Sequence, residues 1–187
     1  MKSLNKERSF ALASALFPNE EWILKEKNIW VAKSRLIEEY KEPVKWEKEM
    51  SQVRILTEKG SVAFFLPEKP MKGQFFKLCA DLVLDGTVTE MKTTSGTRAT
   101  LGTAFRFAYK QGIELLKNHP SMSEHSVFIR LMSEFSIGSV KAKIAGELKG
   151  RKDSGQFICY FENLGELRIW SYDELRSMIN KKSPDLV

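Results

Sequence analysis

The dipeptide Asp85-Gly86 constrains this chain more than any other feature. It stands between two extended-looking runs, Leu78 to Leu84 and Thr87 to Thr93. Asp-Gly between such runs signals a two-residue hairpin, because both turn positions need positive φ. A turn of that length fixes the register. Leu84 faces Thr87, Val83 faces Val88, Leu82 faces Thr89, and Asp81 faces Glu90. Directly opposed residues lie about 4.5–5.5 Å apart at Cβ, and side chains alternate faces along a strand. Asp81, Glu90 and Lys92 are therefore expected on one face with Val83 and Val88. Leu82, Leu84 and Met91 point the other way.

Two opposed carboxylates repel, and a sheet gains nothing from them. A divalent cation between them resolves the conflict, since Mg²⁺ takes oxygen ligands from one or two carboxylates together with phosphate. Lys92, two residues past Glu90, can position a water or stabilise charge on a phosphate. A metal, a nucleophilic water and a nearby cation are the parts that phosphodiester hydrolysis needs. The plainer reading of the same residues is a solvent-facing strand face with incidental charges. A third acid can come from the helix before the strands. Trp46, Glu49, Val53, Leu56 and Gly60 follow one another by threes and fours, which places Glu49 among packed positions. Glu47, Ser51, Arg54 and Glu58 fall on another, solvated face.

The remaining elements follow from punctuation and periodicity. Residues 6–17 read as a helix. Residues 20–42 are mixed and charged, anchored by Trp22, Ile23, Trp30, Val31, Leu36 and Ile37. Pro43 suits the first turn of a helix from Val44 to Glu58, which stops at Gly60. Ser61 to Leu66 is a strand. A lysine-bearing loop with Lys69, Lys72 and Lys77 then enters the hairpin. Thr100 or Thr103 can cap a helix running to about Lys117. Ser126 to Met132 is a strand, Ile137 to Lys149 a helix, Gln156 to Phe161 and Glu166 to Trp170 strands, and Asp173 to Lys181 a last helix. The expected organisation is an N-terminal helical segment, 1–43, and an α/β domain, 44–187, with a mixed central sheet flanked by helices.

Composition bounds the function. The chain has 187 residues, 42% of them hydrophobic, enough for a real core. No stretch approaches twenty apolar residues, so no membrane span and a cytoplasmic location are expected. The apolar run Phe10 to Phe17 is short and leads into Pro18 and acidic residues, which favours an ordinary helix over a signal peptide. Cys79 and Cys159 sit in apolar runs and read as buried free thiols. With His119 and His125 they form no zinc spacing. Net charge +6 and a pI near 9.2 fit a polyanionic partner.

Asp81 followed by Glu90-Met91-Lys92, with Glu49 on the preceding helix and Gln111 on the following one, resembles the signature of the PD-(D/E)XK nuclease superfamily. The resemblance implies a restriction-endonuclease-like αβββαβ core. From Glu49 to about Met132 the sequence is most similar to nuclease domains of contact-dependent growth inhibition toxins and related mobile-element proteins, several of which cleave tRNA. The Glu49-to-Gly60 helix, the Phe64-Phe65-Leu66-Pro67 strand end and the hairpin carry the likeness. It covers a little under half of the chain. One departure is Ala80, where the family often has Pro before the first Asp. The resemblance implies Asp81 and Glu90 as ligands of Mg²⁺ or Mn²⁺, Lys92 as the catalytic lysine, Glu49 as an auxiliary acid and Gln111 as a hydrogen bonder in the site. Residues 1–43 match nothing comparable.

Hydroxyls and backbone N–H groups crowd the stretch from Thr93 to Thr100, and such groups suit phosphate. Thr94, Arg98, Arg106 and Lys110 are the candidate substrate contacts, helped by the N-terminus of the helix that follows. Phe105 and Tyr109, four apart, have core spacing. The expected partner is nucleic acid, DNA or tRNA, with an immunity or other partner protein and a homodimer left open. The expected function is metal-dependent phosphodiester hydrolysis. A metal-independent toxin ribonuclease and a non-catalytic nucleic-acid-binding protein are the alternatives.

Overall fold

A computed structural model describes residues 2–67, 80–119 and 122–180. The chain divides into two compact units, Met1–Thr89 and Glu90–Val187.

The first unit opens with α1 (Lys2–Leu16). A hairpin of β1 (Trp22–Glu26) and β2 (Ile29–Ala32) follows, then a 3-10 turn (Lys33–Leu36), α2 (Ile37–Lys41), α3 (Pro43–Glu58), β3 (Ala63–Phe65) and β4 (Leu82–Leu84). The strand β5 (Thr87–Thr94) begins here and continues into the second unit. Strand order follows the chain. β2 and β3 run parallel, and the other pairs of this unit are antiparallel.

Residues 1–43 are thus helical at both ends but not throughout. The β1–β2 hairpin turns at Lys27-Asn28, and Asn28 takes the positive φ of 64° that Asn tolerates. The residues around the turn, Trp22, Ile23, Ile29, Trp30 and Val31, are β-branched or aromatic and favour a half-buried strand. α3 starts with Pro43 in its first turn. It ends as the sequence suggests: Gly60 has a φ of 102°, its N–H bonds the Thr57 carbonyl, and Ser61 N–H bonds Leu56. This is a Schellman closure. Its apolar face buries Trp46, Met50, Val53 and Leu56.

The Asp85-Gly86 turn has φ of 49° and 84°, the type I′ geometry. The ladder pairs Leu84 with Thr87, Val83 with Val88 and Leu82 with Thr89, as the turn length dictates. β4 starts only at Leu82, so Asp81 stands just before the strand rather than inside it. Leu78 and Cys79 lie outside the described residues, as do Lys69, Lys72 and Lys77. α1 grips the turn from one side: Asn5 donates to the Asp85 carboxylate at 3.2 Å, and Gly86 N–H donates to the buried Ser9 hydroxyl at 2.8 Å. The core beneath is aromatic. Phe64 stacks on Trp30 and meets Trp22 edge-on.

The second unit contains the rest of β5, α4 (Arg98–Asn118), β6 (Glu124–Leu131), α5 (Ile137–Leu148), β7 (Ser154–Phe161), β8 (Glu166–Ser171) and α6 (Tyr172–Asn180). Its strands also lie in chain order, with β6–β7 parallel and β7–β8 antiparallel. α4 begins before Thr100: Thr97 is the cap, and its hydroxyl accepts from Ala99 and Thr100 N–H. Phe105 and Tyr109 join Val127, Ile129, Phe157 and Tyr172 in the core. Cys159 is a buried free thiol, pushed well above the ordinary thiol range by burial. The fold is mixed α/β, with a mixed sheet flanked by helices and helix at the N-terminus. No helix among the described residues is long and apolar enough to cross a membrane.

Candidate functional site

Within the first unit, two of the expected acids are organised by a residue that the sequence did not single out. Arg35, in the 3-10 turn, is 2% exposed. Its Nη1 donates to the carbonyls of Leu66 (2.7 Å) and Asp81 (3.1 Å), and its Nη2 donates to Glu49 Oε2 at 2.7 Å. The guanidinium also lies over the Phe65 ring, 4.6 Å from its centroid. The Asp81 carbonyl accepts a second bond, from Leu66 N–H at 3.1 Å. Burial raises the Glu49 carboxyl above the usual carboxylate range. Arg35 opposes that rise, the charge of Asp81 adds to it, and Lys45 opposes it more weakly. Glu49 is therefore within electrostatic range of Asp81. Glu47, on the other face of α3, is exposed and paired with Arg54.

Within the second unit, Glu90 and Lys92 lie two residues apart on β5 and so project to one face. Lys92 Nζ is 2.5 Å from Glu90 Oε1; the Glu90 side chain is 2% exposed and that of Lys92 31%. Glu90 is thus no incidental surface charge. A carboxylate withdrawn from water to this extent needs charge pairing and hydrogen bonds to offset its lost hydration.

The other candidates divide. Thr94 is buried, and its carbonyl accepts from Met132 N–H at 2.9 Å. Gln111 is half-buried on α4, among the buried positions Ala108, Gly112 and Leu115. Arg98, the first residue of α4, is exposed. Lys110 is exposed on α4 and lines a cleft of about 550 Å³ with Tyr109, Lys117, Arg151 and Asp153. Arg106 is exposed on α4 and paired with a carboxylate. Its Nη1 donates to both carboxylate oxygens of Glu147 on α5, at 2.9 and 3.1 Å, and its Nη2 donates to the Thr103 hydroxyl. Two N–H groups of the first α4 turn are likewise taken up by the Thr97 cap. Arg35 left little trace in the sequence, since a single Arg has no period. Its only local sign is that it stands three residues after the apolar run Ile29 to Ala32.

Among the described residues, no group of three or more His, Cys, Asp or Glu is disposed to hold a metal ion. Asp81 and Glu90 each carry carboxylate oxygens, the donor type a hard divalent cation takes. Glu49 is held by Arg35.

The elements and their order define a mixed α/β protein. No protein-family model matches the chain, and no curated protein matches it. Among solved structures, a CdiA-CT/CdiI toxin and immunity complex from Burkholderia pseudomallei is similar. The likeness covers 66% of this chain and 81% of that one, at 18% sequence identity and a TM-score of 0.40. At that depth it bears on no activity.

Proposed function

We propose that this chain is a metal-dependent nuclease that hydrolyses phosphodiester bonds with Asp81, Glu90 and Lys92. The observation that carries this reading is the Glu90–Lys92 pair: a carboxylate 2% exposed with an ammonium at 2.5 Å, on the strand that leaves a type I′ turn. Sheets do not gain by burying such a pair for its own sake, because desolvation of the charges offsets their attraction. A two-residue turn, continued one step past Leu82–Thr89, would set Asp81 opposite Glu90. Those two acids would hold the cation, Mg²⁺ or Mn²⁺, which supplies Lewis-acid assistance and an activated water when bound.

The protein's own groups then divide the work. Asp81 and Glu90 fix where the scissile phosphate sits. Lys92, partly open to solvent, orients the attacking water or stabilises the charge gathering on the phosphate oxygens. Glu49 is a nearby acid whose raised proton affinity suits it to accept or relay a proton. Gln111, Thr94, Arg98 and Lys110 remain candidate contacts to nucleic acid, and an immunity-type partner protein accompanies the toxin reading. A metal-independent ribonuclease built on histidine has less support: His125 is fully buried and held down to about 4 by that burial.

The test is incubation of the purified protein with tRNA, plasmid DNA and short oligonucleotides, with Mg²⁺, with Mn²⁺ and with excess chelator. Cleavage that requires the metal is the expected result. Undiminished cleavage in chelator overturns the metal, and binding without cleavage under every condition overturns the enzyme.

A further inference from the structure

We propose that Arg35 is a positioning residue for this site, holding the Asp81 backbone and the Glu49 carboxylate in fixed relation. The inference rests on the nuclease reading for the role of Asp81, but its geometry is independent of it. The antiparallel β3–β4 ladder ends at Phe65↔Leu82. One step further, Leu66 N–H still reaches the Asp81 carbonyl at 3.1 Å. Asp81 therefore lies where a strand end would fray. Arg35 closes that end, because one nitrogen donates to both the Leu66 and Asp81 carbonyls while the other donates to Glu49.

The side chain is suited to this task. A guanidinium is planar and carries five donors in a rigid fork, so it can serve three acceptors on three chain segments at once. Here the segments are the end of β3, the residue ahead of β4, and α3. The ring of Phe65 lies under the guanidinium plane. Glu38 Oε2 is 3.8 Å from its Nε. An ammonium at the same place can keep the charge but cannot reproduce the fork. Arg35 thus sets the angle at which the Asp81 carboxylate leaves the sheet. It also holds the Glu49 carboxylate, through the 2.7 Å bond, away from solvent.

Arg35→Lys and Arg35→Met test this, measured on full-length protein by thermal melting, by calorimetric titration with Mn²⁺ alone, and by steady-state cleavage. Misplacing a ligand's support typically costs about tenfold or more in metal affinity. The expected result is a folded Arg35→Lys protein whose Mn²⁺ affinity falls by about that factor. Its kcat falls while KM for nucleic acid stays near the parent value. A folded Arg35→Lys protein that binds Mn²⁺ and cleaves as the parent does overturns the proposal. So does unfolding of both variants, which assigns Arg35 to the fold alone. A parent protein that binds no Mn²⁺ has a different meaning, since it removes the metal reading itself.

Discussion

Glu90 and Lys92 form an unequal pair, and the inequality is testable. Removing Lys92 leaves a carboxylate at 2% exposure without its ammonium, whereas removing Glu90 leaves a lysine that already reaches solvent at 31%. Removing a partner from a buried charge costs more than removing one from an exposed charge. In chelator, Lys92→Ala should therefore be less stable to urea than Glu90→Ala. The opposite order would mean that the carboxylate does not depend on the lysine. A second residue-scale consequence concerns His125. Burial holds it near 4, against an ordinary 6.5. Asp153 and the Ser154 backbone oppose that shift more weakly. Between those values the unfolded state binds more protons than the folded one, so stability rises with pH through this window. The contribution is complete above about pH 6.5 and is lost as pH falls toward 4. The melting temperature should drop between pH 7 and 5, and His125→Leu should flatten that slope. An unchanged slope would assign the acid sensitivity to other groups.

At the scale of elements, backbone conformations set which substitutions fail. Gly155 on β7 has a φ of 151°, and a Cβ there would lie 1.9 Å from the carbonyl oxygen of His125, its partner across the parallel β6–β7 ladder. Backbone cannot step aside as a side chain can. Gly86→Ala also meets strain, at a φ of 84°, but its nearest new neighbour is the Arg8 side chain at 3.0 Å. A non-glycine residue in such a left-handed position costs about 1–2 kcal/mol. Gly155→Ala should exceed that figure, and Gly86→Ala should fall near it, by equilibrium denaturation. Equal losses would contradict the close approach at β7. The same elements show what could be read beforehand. The hairpin register was legible because Asp-Gly selects one turn type. The Gly60 helix end and the Glu49 phase were legible because they are local. The start of β4 was not, since a ladder ends where its neighbour strand ends. The β1–β2 hairpin escaped because Lys27-Asn28 is a weaker turn signal than Asp-Gly. The burial of Glu90 escaped because alternation predicts one wet face, whereas Val88 and Thr89 on β5 are both buried. Arg35 escaped because its partners are 14 to 46 residues away.

For the whole molecule, a net charge of +6 is the electrostatic background to any encounter with nucleic acid. If phosphate contacts dominate, binding should weaken steeply with salt, by roughly 0.7–0.9 in log–log slope for each phosphate neutralised. A Glu90→Ala protein titrated with oligonucleotide from low to physiological salt measures that slope. A flat response would exclude a phosphate-led surface. The proposed chemistry turns on the three residues around the hairpin. The measurement that tests it most directly is the initial rate of cleavage in Mg²⁺ for the parent, Asp81→Ala, Glu90→Ala and Lys92→Ala, each first shown to be folded. Asp81→Ala and Glu90→Ala should lose cleavage together with Mn²⁺ binding. Lys92→Ala should keep the metal yet slow by about a hundredfold or more, the scale of losing one main electrostatic group. Folded Asp81→Ala and Glu90→Ala proteins that cut as fast as the parent would contradict it.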